Sequence, residues 1–144
     1  MKNKVIIITG ASSGIGKACA WAFVQSGAKV VLAARQLEKL TATTEELKSA
    51  GFEVIAIQAD VSKKEDCQRL ISDTITAYQQ LDILINNAGI SMRATLEEMD
   101  VDVIRKVMDV NFYGAVYCTK YALPYLLKNK GSVVGVSSIA GYKG

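Results

Sequence analysis

The chain has 144 residues, half of them apolar and 22% charged, with 17 basic against 14 acidic side chains, three cysteines and no histidine. That length and apolar share predict one folded domain and exclude disordered and fibrous classes. The missing histidine excludes Ser-His-Asp and Cys-His nucleophile pairs and any His-ligated metal, so proton chemistry must fall to other groups. The net charge of +3 is small and its lysines and arginines are scattered, which argues against a nucleic-acid partner. Cys19, Cys67 and Cys118 are too far apart for a CxxC site or a disulfide framework, and with no apolar run of roughly 18 residues or signal-peptide core they predict a cytoplasmic protein with no membrane partner.

Val5-Ile6-Ile7-Ile8 is a continuous β-branched run, as expected of a strand buried on both faces of a parallel sheet. Gly10 to Gly16 interrupts it, and Ile15, Ala18, Cys19, Ala22 and Phe23 then recur on one helical face that ends at Gly27. The unit repeats: a strand over Val30 to Ala34, a helix face of Leu37, Leu40, Thr44 and Leu47 closed by Gly51, and a third strand at Val54 to Ile57. Cys67, Leu70, Ile71, Thr74, Ile75 and Tyr78 predict a third helix, and Ile83 to Ile85 a fourth strand. A loop over Asn86 to Arg93 follows, then a helix carrying Leu96, Met99, Val103, Ile104 and Val107, another from Phe112 to Leu127, and a fifth strand at Val133 to Val136. Alternating strands and helices predict an α/β fold, a doubly wound parallel sheet. Pro124 should bend the last helix. Tyr113, Tyr117, Tyr121 and Tyr125 form one stripe along it, suited either to core packing or to a subunit interface.

Thr9-Gly10-Ala11-Ser12-Ser13-Gly14-Ile15-Gly16 lies between the first strand and first helix. Glycines there permit a tight turn and close backbone approach to a pyrophosphate, which the N–H groups and dipole of the helix start then stabilise. The second strand should reach the adenine ribose; it ends Ala33-Ala34-Arg35 with no carboxylate for a 2′-hydroxyl. Arg35 can instead pair with a 2′-phosphate, which predicts NADP(H) as cofactor. Asp60 and Asn87 stand at C-terminal ends of parallel strands, where such sheets bind ligands. For Asn86 and Asn87, turn chemistry in left-handed geometry is an equal alternative. Ser138, also past a strand's C-terminal end, could donate to a carbonyl oxygen on which negative charge develops.

These residues resemble the short-chain dehydrogenases/reductases along the whole chain. Thr9 to Gly16 matches the family's TGxxxGxG segment, Asp60-Val61 its adenine-contacting pair, and Asn86-Asn87-Ala88-Gly89 its NNAG. Asn111 within Val110 to Gly114 matches the active-site asparagine, and Ser137-Ser138-Ile139-Ala140-Gly141 the segment of the catalytic serine, aligned to Ser138. The resemblance implies a Rossmann-type sheet of strand order 3-2-1-4-5 with helices on both faces, truncated before its last strands, so that residues 1–144 form one dinucleotide-binding domain incomplete at its C-terminus. It implies that Gly10, Ser12, Ser13, Gly14, Ile15 and Gly16 hold pyrophosphate and ribose, and that Asp60 and Val61 hold adenine. Asn87, Ala88 and Gly89 would border the riboses, with Asn111 and Ser138 catalytic. The implied reaction moves a hydride between NADP(H) and a small-molecule carbonyl or secondary alcohol, in a homodimer or homotetramer. The family's proton donor is a tyrosine followed four residues later by lysine, the ammonium lowering the phenol's pKa. No such pair occurs here: the tyrosines are followed at +4 by Asp82, Tyr117, Tyr121, Tyr125 and Asn129, and Tyr142-Lys143 has the wrong spacing. The expectation is an N-terminal piece of a longer reductase, itself inactive. The alternatives are an NADP(H)-sensing module without catalysis, or a half-sheet that a partner chain completes.

Overall fold

A computed structural model describes residues 1–139. Five parallel strands, β1 (Val5–Thr9), β2 (Lys29–Ala34), β3 (Val54–Gln58), β4 (Ile83–Asn86) and β5 (Ser132–Gly135), lie in the order β3-β2-β1-β4-β5. Alternate side chains of β1 explain the double winding. Ile6 and Ile8 join Ala20, Val24, Leu32, Leu40 and Leu47 on the face covered by α1 (Gly14–Gln25) and α2 (Leu37–Ser49). Val5 and Ile7 join Val31, Leu70, Leu84, Cys118, Ala122 and Leu126 on the face covered by α3 (Lys64–Tyr78) and α5 (Gly114–Lys128). Period-2 geometry sends successive residues to opposite faces, so a strand apolar at every position needs helices on both. The chain reverses between β1 and β4, which places the C-terminal ends of β1, β2 and β4 beside one crevice, the switch point at which such sheets hold ligands.

The predicted strands and helices are all present, with differences at four places. The buried face of α1 is Gly16, Ala20 and Val24, flanked by Cys19 and Phe23, while Ile15, Ala18 and Ala22 face outward. Glycine and alanine carry little apolar signal, yet their small size is what lets α1 approach the sheet. Leu37 at the first turn of α2 is exposed; Thr43 takes its place among the buried residues. The helix predicted around Leu96 begins only at Val101, and Leu96 is 81% exposed. Asp100 fixes that start: its carboxylate accepts the Asp102 N–H at 2.9 Å, capping α4 (Val101–Met108). Finally, the two C-terminal helices form one continuous path. A π-helical turn, Asp109–Tyr113, joins α4 to α5, with the Gly114 N–H bonded back to the Asp109 carbonyl. α5 continues through Pro124 to Lys128.

The tyrosine stripe is only partly a core feature. Tyr117 and Tyr121 pack against the core beneath α5, whereas Tyr113 and Tyr125 remain exposed. Tyr113 stacks on Tyr117, with centroids 6.1 Å apart. All three cysteines are free thiols, and Cys67 and Cys118 are both fully buried in the same cluster.

Candidate functional site

Two cavities adjoin at the C-terminal edge of the sheet, sharing Val61, Asn87, Ala88, Gly89, Ile90 and Val110 in their walls. The smaller, about 510 Å³, is bounded by Gly10, Ser12, Ser13, Gly14, Ile15, Arg35 and Asp60 besides the shared residues. The larger, about 710 Å³, is bounded on its far side by Asn86, Ser91, Met92, Asn111, Ser137 and Ser138. The sequence-predicted cofactor residues thus line the first cavity, except Gly16, and both predicted catalytic residues line the second. Ala140, Gly141 and the Tyr142-Lys143 pair lie outside the described residues.

The glycine loop has the shape its composition requires. Gly10 and Gly14 have φ of +66° and +52°, in the left-handed region that glycine enters without penalty. A Cβ on Gly10 would lie 2.9 Å from the Ala88 Cα. Gly16 is buried behind the loop, where a Cβ would collide with the Gly10 carbonyl and the Asn87 amide. Among the described residues nothing lies within 4 Å of a Cβ built on Gly14, so the loop's crest is open there. Ser13 occupies the position before α1 but makes no side-chain capping hydrogen bond, and the first turn holds no acidic residue. An uncapped helix start beneath an open glycine crest is fitted to receive a pyrophosphate.

Thr9 joins this loop to the one after β4, a role the sequence reading missed. Its hydroxyl accepts the N–H groups of Asn87 and Ala88, both at 3.0 Å, and donates to the Ile85 carbonyl at 3.3 Å. Asn87 returns the link, its Nδ2 donating to the carbonyls of Thr9 at 2.9 Å and Gly10 at 3.3 Å. Neither Asn86 nor Asn87 is left-handed, so the turn alternative does not describe them. Asn86 Nδ2 donates to the Thr119 hydroxyl at 3.0 Å, while its Oδ1 is buried without a partner among the described residues.

Asn111 is committed to structure through its side chain. Oδ1 accepts the Ile90 N–H at 2.8 Å and Nδ2 donates to the Ile90 carbonyl at 2.9 Å, so both ends of the amide staple the Gly89–Ile90 loop to the π-helical turn. The extra residue in that turn aims Asn111 at the loop while Gly114 packs on Val61, where a Cβ would come within 2.7 Å of Cγ2. Val61 is accordingly a core residue as well as a wall of both cavities. Its carbonyl accepts the Cys67 thiol at 3.3 Å. The hydrogen bond that Cys118 donates to the Cys67 sulfur, together with burial, pushes the Cys118 thiol far above its ordinary range, so this thiol stays protonated.

Asp60 shapes its own loop: Oδ1 accepts from the Ser62 N–H at 3.1 Å and hydroxyl at 2.7 Å. Among the described residues, Arg35 and Asp60 are the charged groups in the smaller cavity's wall, and the larger one's wall has no titratable carboxylate, amine or phenol. Among the described residues no cluster of acids and cysteines could hold a metal, and no helix is long and apolar enough to cross a membrane.

A model of the short chain dehydrogenase family matches residues 4–144. A curated relative from Sesamum indicum, 11-beta-hydroxysteroid dehydrogenase A, is 43% identical over 142 residues, covering 97% of this chain and 41% of its own length. The Arabidopsis thaliana 11-beta-hydroxysteroid dehydrogenase 1A has the same identity and coverage. The chain therefore spans about two fifths of the length of these relatives. Among solved structures, a short chain dehydrogenase/reductase from Burkholderia phymatum, in complex with NAD, superposes with a TM-score of 0.94 at 33% identity, covering 97% of this chain and 50% of the other. One from Mycobacterium smegmatis gives the same TM-score at 29% identity, with coverages of 99% and 61%. With its glycine loop, its Asn87 link and its stapled Asn111 set on the expected strand order, the chain belongs to the short-chain dehydrogenase family.

Proposed function

We propose that the protein containing this chain is an NADP(H)-dependent oxidoreductase acting on a carbonyl or secondary alcohol. The observation that carries the reading is the pair of adjoining cavities, the smaller lined by the glycine loop, Arg35 and Asp60, the larger by Ser138 and the loop that Asn111 holds. When bound, the nicotinamide supplies the hydride. The open crest from Ser12 to Ile15 receives the pyrophosphate on the helix dipole, and Ala88-Gly89 leaves room for a flat ring. Ser138 donates a hydrogen bond to the substrate oxygen, where charge develops. Asn111 keeps the Gly89–Ile90 wall in place. No proton donor of the YxxxK kind occurs in these 144 residues, so turnover is assigned to the complete protein.

Arg35 favours NADP(H) over NAD(H) because a guanidinium can pair with a 2′-phosphate where no carboxylate serves a 2′-hydroxyl. Arg35→Asp is expected to weaken NADPH binding about 10- to 100-fold, the worth of hydrogen bonds to a charged group, while sparing NADH; an unchanged ratio would sink the cofactor preference. The exposed Phe112, Tyr113, Val116, Leu123 and Leu127 along α5 and the turn before it support a homodimer or homotetramer. The free cysteines fit a reducing, cytoplasmic setting. The deciding assay follows loss of reduced nicotinamide absorbance with NADPH and a panel of ketones and aldehydes. Failure to bind either NADPH or NADH refutes the reading, and tight binding without turnover on any carbonyl replaces it with an NADP(H)-sensing role.

A further inference from the structure

The two loops that flank the adenosine end of the smaller cavity are joined behind it by a chain of polar groups. The Arg35 backbone carbonyl accepts from Gln58 Nε2 at 3.0 Å. The Gln58 backbone carbonyl in turn accepts from the Arg69 guanidinium at 3.0 Å, and the same nitrogen reaches Asp66 Oδ1 at 3.0 Å. The second oxygen of Asp66 accepts the backbone N–H of Asp60 at 2.9 Å. Asp66 thus spends one oxygen on each side of the network, and only a carboxylate offers an acceptor to both donors. None of Gln58, Asp66 and Arg69 lines the cavity, so whatever they do for a ligand passes through Arg35 and Asp60. The Asp60 N–H, followed by the Arg69 guanidinium, holds the Asp66 carboxyl below the usual carboxylate range, which keeps it ionised.

We propose that Asp66 is a positioning residue, acting with Arg69 and Gln58 to set the spacing between the Arg35 loop and the Asp60–Val61 loop, and thereby the affinity for the adenosine half of a dinucleotide. The inference rests on the dinucleotide reading above. In Asp66→Asn, one oxygen remains to serve two donors and an NH2 group confronts the other. The test titrates NADPH and reduced nicotinamide mononucleotide, which lacks adenosine, by their intrinsic fluorescence. Asp66→Asn is expected to raise the Kd for NADPH about tenfold, or about 1.4 kcal/mol, and to leave the mononucleotide unaffected. Arg69→Met cuts the same network on its solvent side without removing the Asp60 partner. It is expected to raise the NADPH Kd about threefold, in keeping with loss of one modest hydrogen-bond link, again sparing the mononucleotide. General loosening of the fold would weaken both ligands alike, and that result overturns the proposal, as does unchanged NADPH affinity in both variants. Should the unsubstituted protein bind neither NADPH nor NADH, the dinucleotide reading falls and this inference with it.

Discussion

Among the described residues, the two halves of the crevice differ in how far they are covered. Around the smaller cavity every residue of β1 is buried, as are five of the six in β2, and the loops are cross-tied by Thr9, Asn87 and Asp66. Around the larger cavity all four residues of β5 are exposed, α4 buries none of its side chains, and among the described residues β5 pairs with β4 alone. The same parallel-sheet chemistry runs through both, so the contrast lies in coverage. An apolar strand stabilises a fold only in proportion to the area taken from water. Among the described residues Val133 and Val134, each 44% exposed, have realised only part of that gain.

Substitutions can break this comparison. Leu84 in β4 is fully buried, and Leu84→Ala is expected to cost about 2–5 kcal/mol through lost transfer energy and a residual cavity. Val134→Ala in the next strand should cost about 0.5 kcal/mol or less, the usual limit for surface positions. Paired denaturant titrations check this; equal losses would mean that β5 is as well covered as β4. Thr9→Val keeps the shape but strands the N–H groups of Asn87 and Ala88, for a loss of about 1–3 kcal/mol. The same variant should weaken NADPH binding, because the glycine loop and the Asn87 loop lose their shared anchor. Fluorescence titration beside thermal melting would show both effects or refute the link.

The third prediction concerns pH at the opposite edge of the sheet, where Asp82 accepts from the Lys4 ammonium at 2.8 Å, the Val5 N–H at 2.9 Å and the Gln80 amide. Burial alone would raise the Asp82 carboxyl, but these three donors outweigh it and hold it below the usual range. The unfolded chain, with aspartate near about 3.9, then takes up protons first on acidification. The contribution is complete above that value and is lost as pH falls through the folded one. Asp82→Asn should therefore cost about 1–3 kcal/mol at neutral pH, with a smaller gap from the parent protein near about pH 3. Melting curves at the two pH values check it, and a gap that persists unchanged would refute the ionic account.

Much of the fold was legible because its strands are apolar without alternation and its helices keep period 3.6. The misread face of α1 shows the limit: Gly16 and Ala20 are inward because they are small, and a hydrophobic pattern does not register smallness. The start of α4 was misplaced because Leu96 and Met99 keep helical spacing while Asp100 supplies a cap at a later position. Within the site, glycines, Arg35 and Asp60 declare themselves by type and by place after a strand. Thr9 and Asp66 do not, since a threonine at a strand's end and an aspartate in a helix's first turn are ordinary there.

By itself, then, the sequence determined the doubly wound sheet, the glycine loop and the absence of histidine and of a YxxxK pair within these residues. Those properties depend on residue type and local spacing. Tertiary structure alone decided which polar atoms meet: that Asn111 spends its amide on Ile90, that Asn87 ties the loops instead of turning the chain, and that Asp66 bridges Asp60 to Arg69. Hydrogen bonds form at about 3 Å with directed geometry, and the partners brought to that distance here lie as much as 79 residues apart.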